Sequence, residues 1–316
     1  MSTPRWFGGV DENGLGPRLG PLVVTGVLAR AETDEAAALV QGPASRAFDE
    51  LIGDSKRLVA FGHSGLGEAW ARVLCQHQGI KAREPKDLVE ALTLDPLEEL
   101  QRACPHSALP LCWGRAGQVE SSERFEADDE LIDRVHRLHE KLASRGILVE
   151  LARSAIVCTQ RINAARDEGR SRLDLDLEAM ERLFLTMRER TGRSLRVHCG
   201  KVGGLTFYAP RFRHLRIDAL GILREGSALS CYRSGGAELC FVIDAEPKHQ
   251  LVALASLIGK WLRDLLMNRL LTHLRRTHPD WPRASGYNDP VTKRLIALSE
   301  AWRSAEGIPE ACFLRR

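Results

Sequence analysis

The stretch that decides the fold runs from residue 8 to residue 30 and reads GGVDENGLGPRLGPLVVTGVLAR. A strand is predicted over residues 5–11, and it ends at the acidic pair Asp11–Glu12. After a turn rich in Gly and Pro, residues 21–30 predict a second strand, because LVVTGVL is continuously apolar and β-branched, as in a buried strand. Two neighbouring strands therefore open the chain, with carboxylates at the turn between them.

The remaining chain predicts helices interleaved with strands. Helices are expected over 33–52, 63–80, 128–144, 174–190 and 250–271, and further strands over 147–157, 194–200 and within 216–244. This order indicates an α/β fold in which helices flank a mixed sheet. We assign residues 1–271 to one domain, with a loop-rich insertion at about 96–122, and residues 272–316 to a helical C-terminal extension.

Composition limits the class of protein. The 316 residues are 44% apolar and 28% charged, which supports a packed core and excludes a disordered chain. The formal charge of +3 is too small to predict nucleic-acid binding by itself. No apolar run approaches the ~18 residues of a membrane span, and the N-terminus lacks a signal pattern, so we expect a soluble, cytoplasmic protein. The eight cysteines form no C-x-x-C pair and are expected to be buried free thiols.

The acidic pair is the first feature that indicates chemistry. Carboxylates at the end of a strand, beside flexible backbone, suit a hard cation such as Mg²⁺, and Gly14 and Gly16 would let the backbone approach a ligand. An ordinary surface turn is the alternative. A dinucleotide-binding loop is excluded by spacing, because Gly20 comes one residue late and Pro17 and Pro21 obstruct the helix that should follow.

A second acidic group comes before the long predicted helix. Asp244 and Glu246 are two residues apart on a predicted strand and would share one face. Two strand ends that both carry carboxylates are what a two-metal phosphodiesterase site needs, with ions ~4 Å apart. The alternative is that these acids merely begin a helix, where they suit its dipole.

Three other segments have both a functional and a structural interpretation. In Asp54-Ser55-Lys56 the lysine could meet a phosphate, or Asp and Ser could cap a helix. Tyr287 could stack on a sugar or base, or it could pack. The segment FYAPRFRHLR, residues 207–216, could follow a nucleic-acid strand or form a solvated basic face.

Taken in order, these motifs resemble those of the type 2 ribonucleases H, which cut RNA in RNA–DNA hybrids. GVDENGLGPRLGPLVV is similar to that family's acidic pair and glycine turn, GDSKRL to its Asp-Ser-Lys segment, LVALASLIGKWLRDLLM to its Ala-Ser-rich helix, and SGYNDP to its late tyrosine loop. The resemblance implies a ribonuclease H-like fold with a five-stranded mixed sheet. It also implies a monomeric endonuclease that uses Mg²⁺ or Mn²⁺ on a hybrid substrate.

The resemblance also implies roles for individual residues. The expected catalytic residues are Asp11, Glu12 and Glu246, of which Glu246 lies ten residues before Ser256. The same three residues are the expected metal ligands, with Asp244 as the runner-up. The expected substrate-binding residues are Gly14, Leu15, Gly16, Lys56 and Tyr287. Leu15 stands where the family usually has an arginine that helps to select the 2′-hydroxyl at a junction.

One carboxylate of the family pattern is missing. It should end the strand SLRVHCGK, where this chain has Cys199, Gly200 and Lys201. The site could use fewer acids, recruit another such as Glu225, or be inactive, and Lys201 near it would disfavour a second cation. The alternative function is therefore a catalytically lapsed nucleic-acid-binding protein, and a further alternative is different chemistry with Cys199 as nucleophile.

Overall fold

The structure is a computed structural model that describes residues 5–44, 50–96, 123–191 and 194–316. Its strands are β1 Arg5–Asn13, β2 Leu22–Ala31, β3 Ile147–Val157, β4 Leu195–Gly200, β5 Leu220–Arg224, β6 Leu229–Ser234 and β7 Ala237–Val242. Its α-helices are α1 Asp34–Gln41, α2 Ser55–Leu58, α3 Gly65–His77, α4 Pro85–Leu92, α5 Asp129–Ala143, α6 Thr159–Asp167, α7 Arg172–Thr191, α8 Ala245–Lys248, α9 Gln250–Thr277, α10 Pro290–Ala305 and α11 Glu310–Phe313. The predicted insertion lies almost wholly outside the described residues.

The strands form one sheet with the order β3-β2-β1-β4-β7-β6-β5. Strands β1, β2 and β3 pair antiparallel, whereas β4 runs parallel to both β1 and β7. The predicted α/β fold with a mixed sheet flanked by helices is confirmed. The sheet has seven strands in the described chain rather than five, because β6 and β5 extend it beyond β7 as antiparallel strands.

Alternate residues of β2 face two different cores. Val23 and Val27 pack on the side of α3 and α9, whereas Val24 and Leu28 pack on the side of α7. This is why the strand is apolar without interruption: both faces of the sheet are covered. A third apolar cluster joins the end of α9 to α10 and α11 through Met267, Leu295 and other residues.

Helix α9 crosses directly over β1, and glycine makes this approach possible. A Cβ atom on Gly9 would lie 2.2 Å from the backbone carbon of Leu251. The helix continues through Thr277, so the proposed domain boundary at 271/272 falls inside it; the division into domains remains a prediction.

Some expectations about local structure are wrong. The helix expected over 33–52 ends at Gln41, before Gly42 and Pro43. Asp244 and Glu246 are not on a strand: β7 ends at Val242, Asp244 adopts a left-handed conformation with φ 49°, and Glu246 lies in α8. Cys231 and Cys240, expected as free thiols, form a disulfide between directly opposed positions of β6 and β7. No described helix is long and apolar enough to cross a membrane.

A stacked histidine pair gives the fold a predictable dependence on pH. The His198 ring of β4 stacks on His249 with centroids 4.0 Å apart. Burial, then His249 and Arg196, lower the pKa of His198 to about 3, with Glu238 opposing. Since the unfolded histidine titrates near 6.5, its contribution to stability is present above that pH and is lost as pH falls toward the folded pKa.

We therefore expect about 2 kcal/mol less stability from His198 at pH 5 than at pH 7.5. Urea unfolding of the wild type and of His198→Asn at both pH values measures this difference. The wild type should lose more stability than the variant on acidification. Equal losses would show that His198 titrates normally in the folded protein.

Candidate active site

The acidic pair lies at the end of β1, in the centre of the sheet. Gly200 ends the neighbouring parallel strand β4, and a Cβ atom there would lie 3.0 Å from Asp11 Oδ1 and 3.6 Å from Glu12 Oε2. Position 200 therefore faces the acidic pair. Glycine leaves this position without a side chain.

Two serines bring the separate acidic motifs together. The backbone N–H of Ser55 donates to Glu246 Oε1 at 2.9 Å, and the hydroxyls of Ser55 and Ser256 are 3.0 Å apart. The Ser256 carbonyl accepts a hydrogen bond from the Asn13 side chain at 3.4 Å, next to the acidic pair, and the Ser256 side chain lowers the pKa of Asp11. The first strand end, the Asp-Ser-Lys segment, α8 and α9 thus meet at one place. Asp54 also caps α2 by accepting from the N–H of Lys56 at 2.9 Å, so the structural interpretation of this segment holds as well.

Burial and mutual repulsion dominate the electrostatics of these acids. Burial, then Glu12 and Glu246, raise the pKa of Asp11 well above its usual value. Burial, then Asp176, raise the pKa of Glu12 to about 8. The positive charge of Lys260 interacts with the carboxylates of Glu246 and Asp11, although burial lowers the pKa of Lys260 itself. Carboxylates crowded in this way favour a bound cation.

Asp176 is the residue that sequence reasoning missed. It lies on α7, is completely buried, and its charge acts on both Asp11 and Glu12. The signal was its spacing: it precedes the buried residues Met180 and Leu183 by four and seven positions and so lies on the buried face of the helix. An acid on such a stripe is unusual unless it has a partner or a function.

The other residues considered at the end of β4 have partners or surroundings of their own. Glu225 accepts a hydrogen bond from the Tyr232 hydroxyl at 2.5 Å, and Lys201 donates to the Gly226 carbonyl at 2.9 Å. Cys199 is buried, and burial, then Asp176 and Asp11, raise the pKa of its thiol well above normal. A nucleophile needs a thiolate, so the hypothesis of cysteine chemistry loses its support.

The two acids before α9, Glu246 and Asp244, differ in their relation to the acidic pair. The Glu246 charge acts on Asp11 and on Glu12, and its carboxylate is held by Ser55. Asp244 is exposed in the turn before α8. Its charge is not among the main influences on the pKa of either Asp11 or Glu12.

The glycine turn and the tyrosine loop form one wall of the neighbouring surface. The N–H groups of Arg18 and Leu19 both donate to the Gly286 carbonyl, at 2.7 and 3.1 Å. Arg263 lies beneath Tyr287, with its guanidinium 4.9 Å from the ring centre. Gly14 is buried with φ 93°, whereas Leu15 is half-buried and Gly16 is exposed.

A cleft beside the acids contains two of the predicted substrate contacts. Its volume is about 330 Å³, and its lining includes Asn13, Lys56, Lys260 and Tyr287. The Lys56 charge also acts on Glu12, and Tyr287 is 48% exposed. Both residues therefore border a cavity that opens next to the acidic pair.

The segment 207–216 does not present free aromatic rings and cations to a strand. Tyr208 and Phe212 are buried, and Arg211 forms an ion pair with Asp174 at 2.7 Å. Arg216 forms an ion pair with Asp218 at 2.6 Å. The solvated basic surface is the interpretation that fits, with Phe207 as an exposed exception.

Arg315, near the end of the chain, supports the glycine turn from below. It is buried, and its guanidinium donates to the carbonyls of Gly14 and Gly20, the latter at 2.8 Å from Nε. Burial, then Arg263 and Arg172, lower its pKa to about 9. The turn is thus held by hydrogen bonds from a segment 295 or more residues away in sequence.

We expect Arg315→Ala to lower stability by about 3 kcal/mol, because it removes the guanidinium hydrogen bonds to two buried carbonyl groups and leaves Gly20 only the 3.3 Å bond from Thr159. If the turn positions substrate, KM for substrate should rise by a larger factor than kcat falls. Arg316→Ala is the matched control, since that side chain makes an exposed ion pair with Asp167. Equal denaturation midpoints for the two variants would contradict the supporting role of Arg315.

The described residues contain no group of three or more His, Cys, Asp or Glu side chains already arranged to hold a metal ion. The chemistry of the donors nevertheless fits a hard divalent cation. Both Asp176 side-chain oxygens are buried and have no hydrogen-bond partner within the described part of the chain, and the Asp176 charge acts on the acidic pair. Carboxylate oxygens are the ligands that Mg²⁺ and Mn²⁺ take.

Solved structures resemble this chain over most of its length. An RNase HII from Archaeoglobus fulgidus, in its complex with PCNA, matches with 17% identity and a TM-score of 0.40 over 98% of this chain and 93% of that one. The ribonuclease H2 from Pyrococcus horikoshii OT3 matches with 15% identity and a TM-score of 0.41, over 98% and 92%. Bst-RNase HIII in complex with Mn²⁺ matches with 13% identity and a TM-score of 0.39, over 94% and 71%. No family model and no curated protein match the sequence.

Proposed function

We propose that this protein is an endoribonuclease that hydrolyses the RNA strand of RNA–DNA hybrids with Mg²⁺ or Mn²⁺. The observation that carries the proposal is the hydrogen-bonded chain from Glu246 through Ser55 and Ser256 to Asn13, which follows the acidic pair at the end of β1. It joins motifs that resemble those of type 2 ribonucleases H, although Ser55 and Glu246 lie 191 residues apart. The cytoplasmic location and monomeric state belong to the same proposal.

In this proposal Asp11, Glu12 and Glu246 hold the cation, and Asp244 does not. A divalent cation held by these residues would supply Lewis acidity for hydrolysis of the phosphodiester. The chain's own residues supply the orientation. Ser55 holds Glu246 through its N–H, and the Ser256 side chain favours the charged form of Asp11, since it lowers the pKa of that carboxyl group. Lys260 offsets part of the negative charge.

The substrate contacts follow from the cleft beside the acids. Lys56 is exposed at its rim and would meet a backbone phosphate. Tyr287 would stack on a sugar or base, with Arg263 beneath the ring. The backbone of Gly14, Leu15 and Gly16 would approach the strand. Leu15 offers no side-chain hydrogen bond there, so we do not expect strong selection for a junction.

The second candidate is a binding protein that no longer cuts. The observation in its favour is Gly200, which leaves the family's third carboxylate position empty of a side chain. A lapsed enzyme would retain the cleft and its lysines but would not need the acids. The two candidates therefore differ in what Asp11 contributes.

The test is incubation of the purified protein with an end-labelled RNA–DNA hybrid and Mn²⁺ or Mg²⁺. Single-stranded RNA, duplex RNA and duplex DNA serve as substrate controls, and a known type 2 ribonuclease H as the positive control. We expect cuts confined to the RNA strand of the hybrid and abolished by chelator. An intact hybrid in conditions where the positive control cuts would overturn the proposal. A hybrid gel shift unaffected by Asp11→Asn would then establish the lapsed enzyme.

A further inference from the structure

We propose that Asp176 of α7 is a carboxylate ligand of the divalent cation in addition to Asp11, Glu12 and Glu246, in place of the acid that the family resemblance leads us to expect near position 200. This inference rests on the proposed function, because it concerns the same site. The ligand class is a hard divalent cation, Mg²⁺ or Mn²⁺, bound through carboxylate oxygen.

The first support is the isolation of this side chain. Asp176 has no exposed surface, and neither of its carboxylate oxygens has a hydrogen-bond partner among the residues that the structure describes. Burying a carboxyl group without a partner opposes folding, so such a group persists where it gains a partner in function. Nothing in its own surroundings gives Asp176 a structural task.

Glu181, on the same helix, shows what a structural acid looks like here. It is equally buried, but its carboxylate accepts hydrogen bonds from the backbone N–H groups of Arg213, His214 and Leu215. These bonds anchor the segment before β5. Of these two buried acids on α7, Glu181 accepts hydrogen bonds from described residues and Asp176 accepts none from them.

The second support is the position of Asp176 relative to the acidic pair. The Asp176 charge acts on Asp11, Glu12 and the thiol of Cys199, which are the groups around the end of β1 and β4. Helix α7 packs against β1, β2 and β4 on the face opposite α9. Asp176 therefore approaches the acidic pair from beneath the sheet, whereas Glu246 approaches from the side of α9.

The third support is the space at Gly200. A side chain at this position would point at Asp11 and Glu12, from 3.0 and 3.6 Å at its first carbon. Glycine leaves that volume open. The neighbouring residue, Cys199, is one whose pKa the Asp176 charge raises. An acid lost from the strand and an acid gained on the helix beneath it would keep the number of carboxylates at the site.

The test measures Mn²⁺ binding by titration calorimetry on the full chain, alongside hybrid cleavage. Asp176→Asn should weaken Mn²⁺ affinity at least ~10-fold, the scale on which the groups around a bound metal act. Asp174→Asn is the matched control, because it makes the same change two residues away at a site paired with Arg211. Its affinity should stay within about twofold of the wild type.

A thermal melt in chelator separates a ligand from a structural residue. Because Asp176 makes no hydrogen bond, Asp176→Asn should melt no lower than the wild type without metal. A large loss of stability would identify a structural role and overturn the inference. The double variant Asp176→Asn, Gly200→Asp should regain Mn²⁺ affinity, and a folded double variant that does not would count against the equivalence of the two positions.

The outcomes also separate this inference from the proposed function. If Asp11→Asn loses Mn²⁺ binding and cleavage while Asp176→Asn keeps both, the ligand role of Asp176 is wrong and the nuclease stands. If the wild type neither binds Mn²⁺ nor cuts the hybrid, the proposed function fails, and the inference fails with it.

Discussion

Replacing Asp11 by asparagine is expected to reduce hybrid cleavage by about a thousandfold, because a metal-holding carboxylate supplies about 4 kcal/mol of transition-state stabilisation. Asn keeps the shape of the Asp11 side chain and removes its charge. The loss should therefore appear in the chemical step and not in folding. Single-turnover cleavage of a labelled hybrid measures it directly.

The same variant should be more stable than the wild type in the absence of metal. Asp11 is desolvated and lies against Glu12 and Glu246, so removal of its charge relieves repulsion. A higher melting temperature in chelator, combined with lost cleavage, is the signature of an acid retained for function. Asp174→Asn, at the ion pair with Arg211, should leave cleavage unchanged and should not raise the melting temperature. An Asp11→Asn enzyme that cuts at the wild-type rate would remove this carboxylate from the mechanism.

Replacing Gly9 by alanine is expected to cost about 3 kcal/mol of stability, at the upper end for overpacking of a core. The new Cβ atom would lie 2.2 Å from the Leu251 carbon and 2.5 Å from its carbonyl oxygen. These are backbone atoms of α9, so no side-chain rotation relieves the clash. The helix must move away from β1. That movement would shift Ser256 and disturb the site as well as the core.

Equilibrium denaturation of Gly9→Ala and of Gly204→Ala tests this expectation. A Cβ atom on Gly204 would meet nothing within 4 Å, so that variant should stay within about 0.5 kcal/mol of the wild type. Equal midpoints for the two variants would show that α9 does not pack on β1 as closely as described.

Much of the architecture follows from local patterns. The strand expected over 147–157 has the bounds of β3, and the helix expected over 128–144 ends within one residue of α5 on each side. Continuous apolar runs and strong helical periodicity survive in the folded state because burial of those faces drives folding. No local pattern relates positions 191 residues apart, so only the order of the motifs could indicate that Glu246 and the Asp-Ser-Lys segment lie close together.

What could not be predicted depends on tertiary structure. Asp176 was included in an amphipathic helix, but its neighbours come from β1 and β4, which periodicity does not identify. The left-handed conformation at Asp244 ended a strand that composition alone would continue. The Cys231–Cys240 disulfide required the register of β6 against β7, which is set by the two-residue turn Gly235-Gly236.

The most direct test of the account is the position of Mn²⁺ in crystals grown with the ion, located by its anomalous scattering. We predict a peak about 2 Å from carboxylate oxygens of Asp11 and Glu246, the distance expected for a small divalent cation bound by oxygen. Saturating Mn²⁺ that occupies other positions, with no peak beside Asp11, would contradict it.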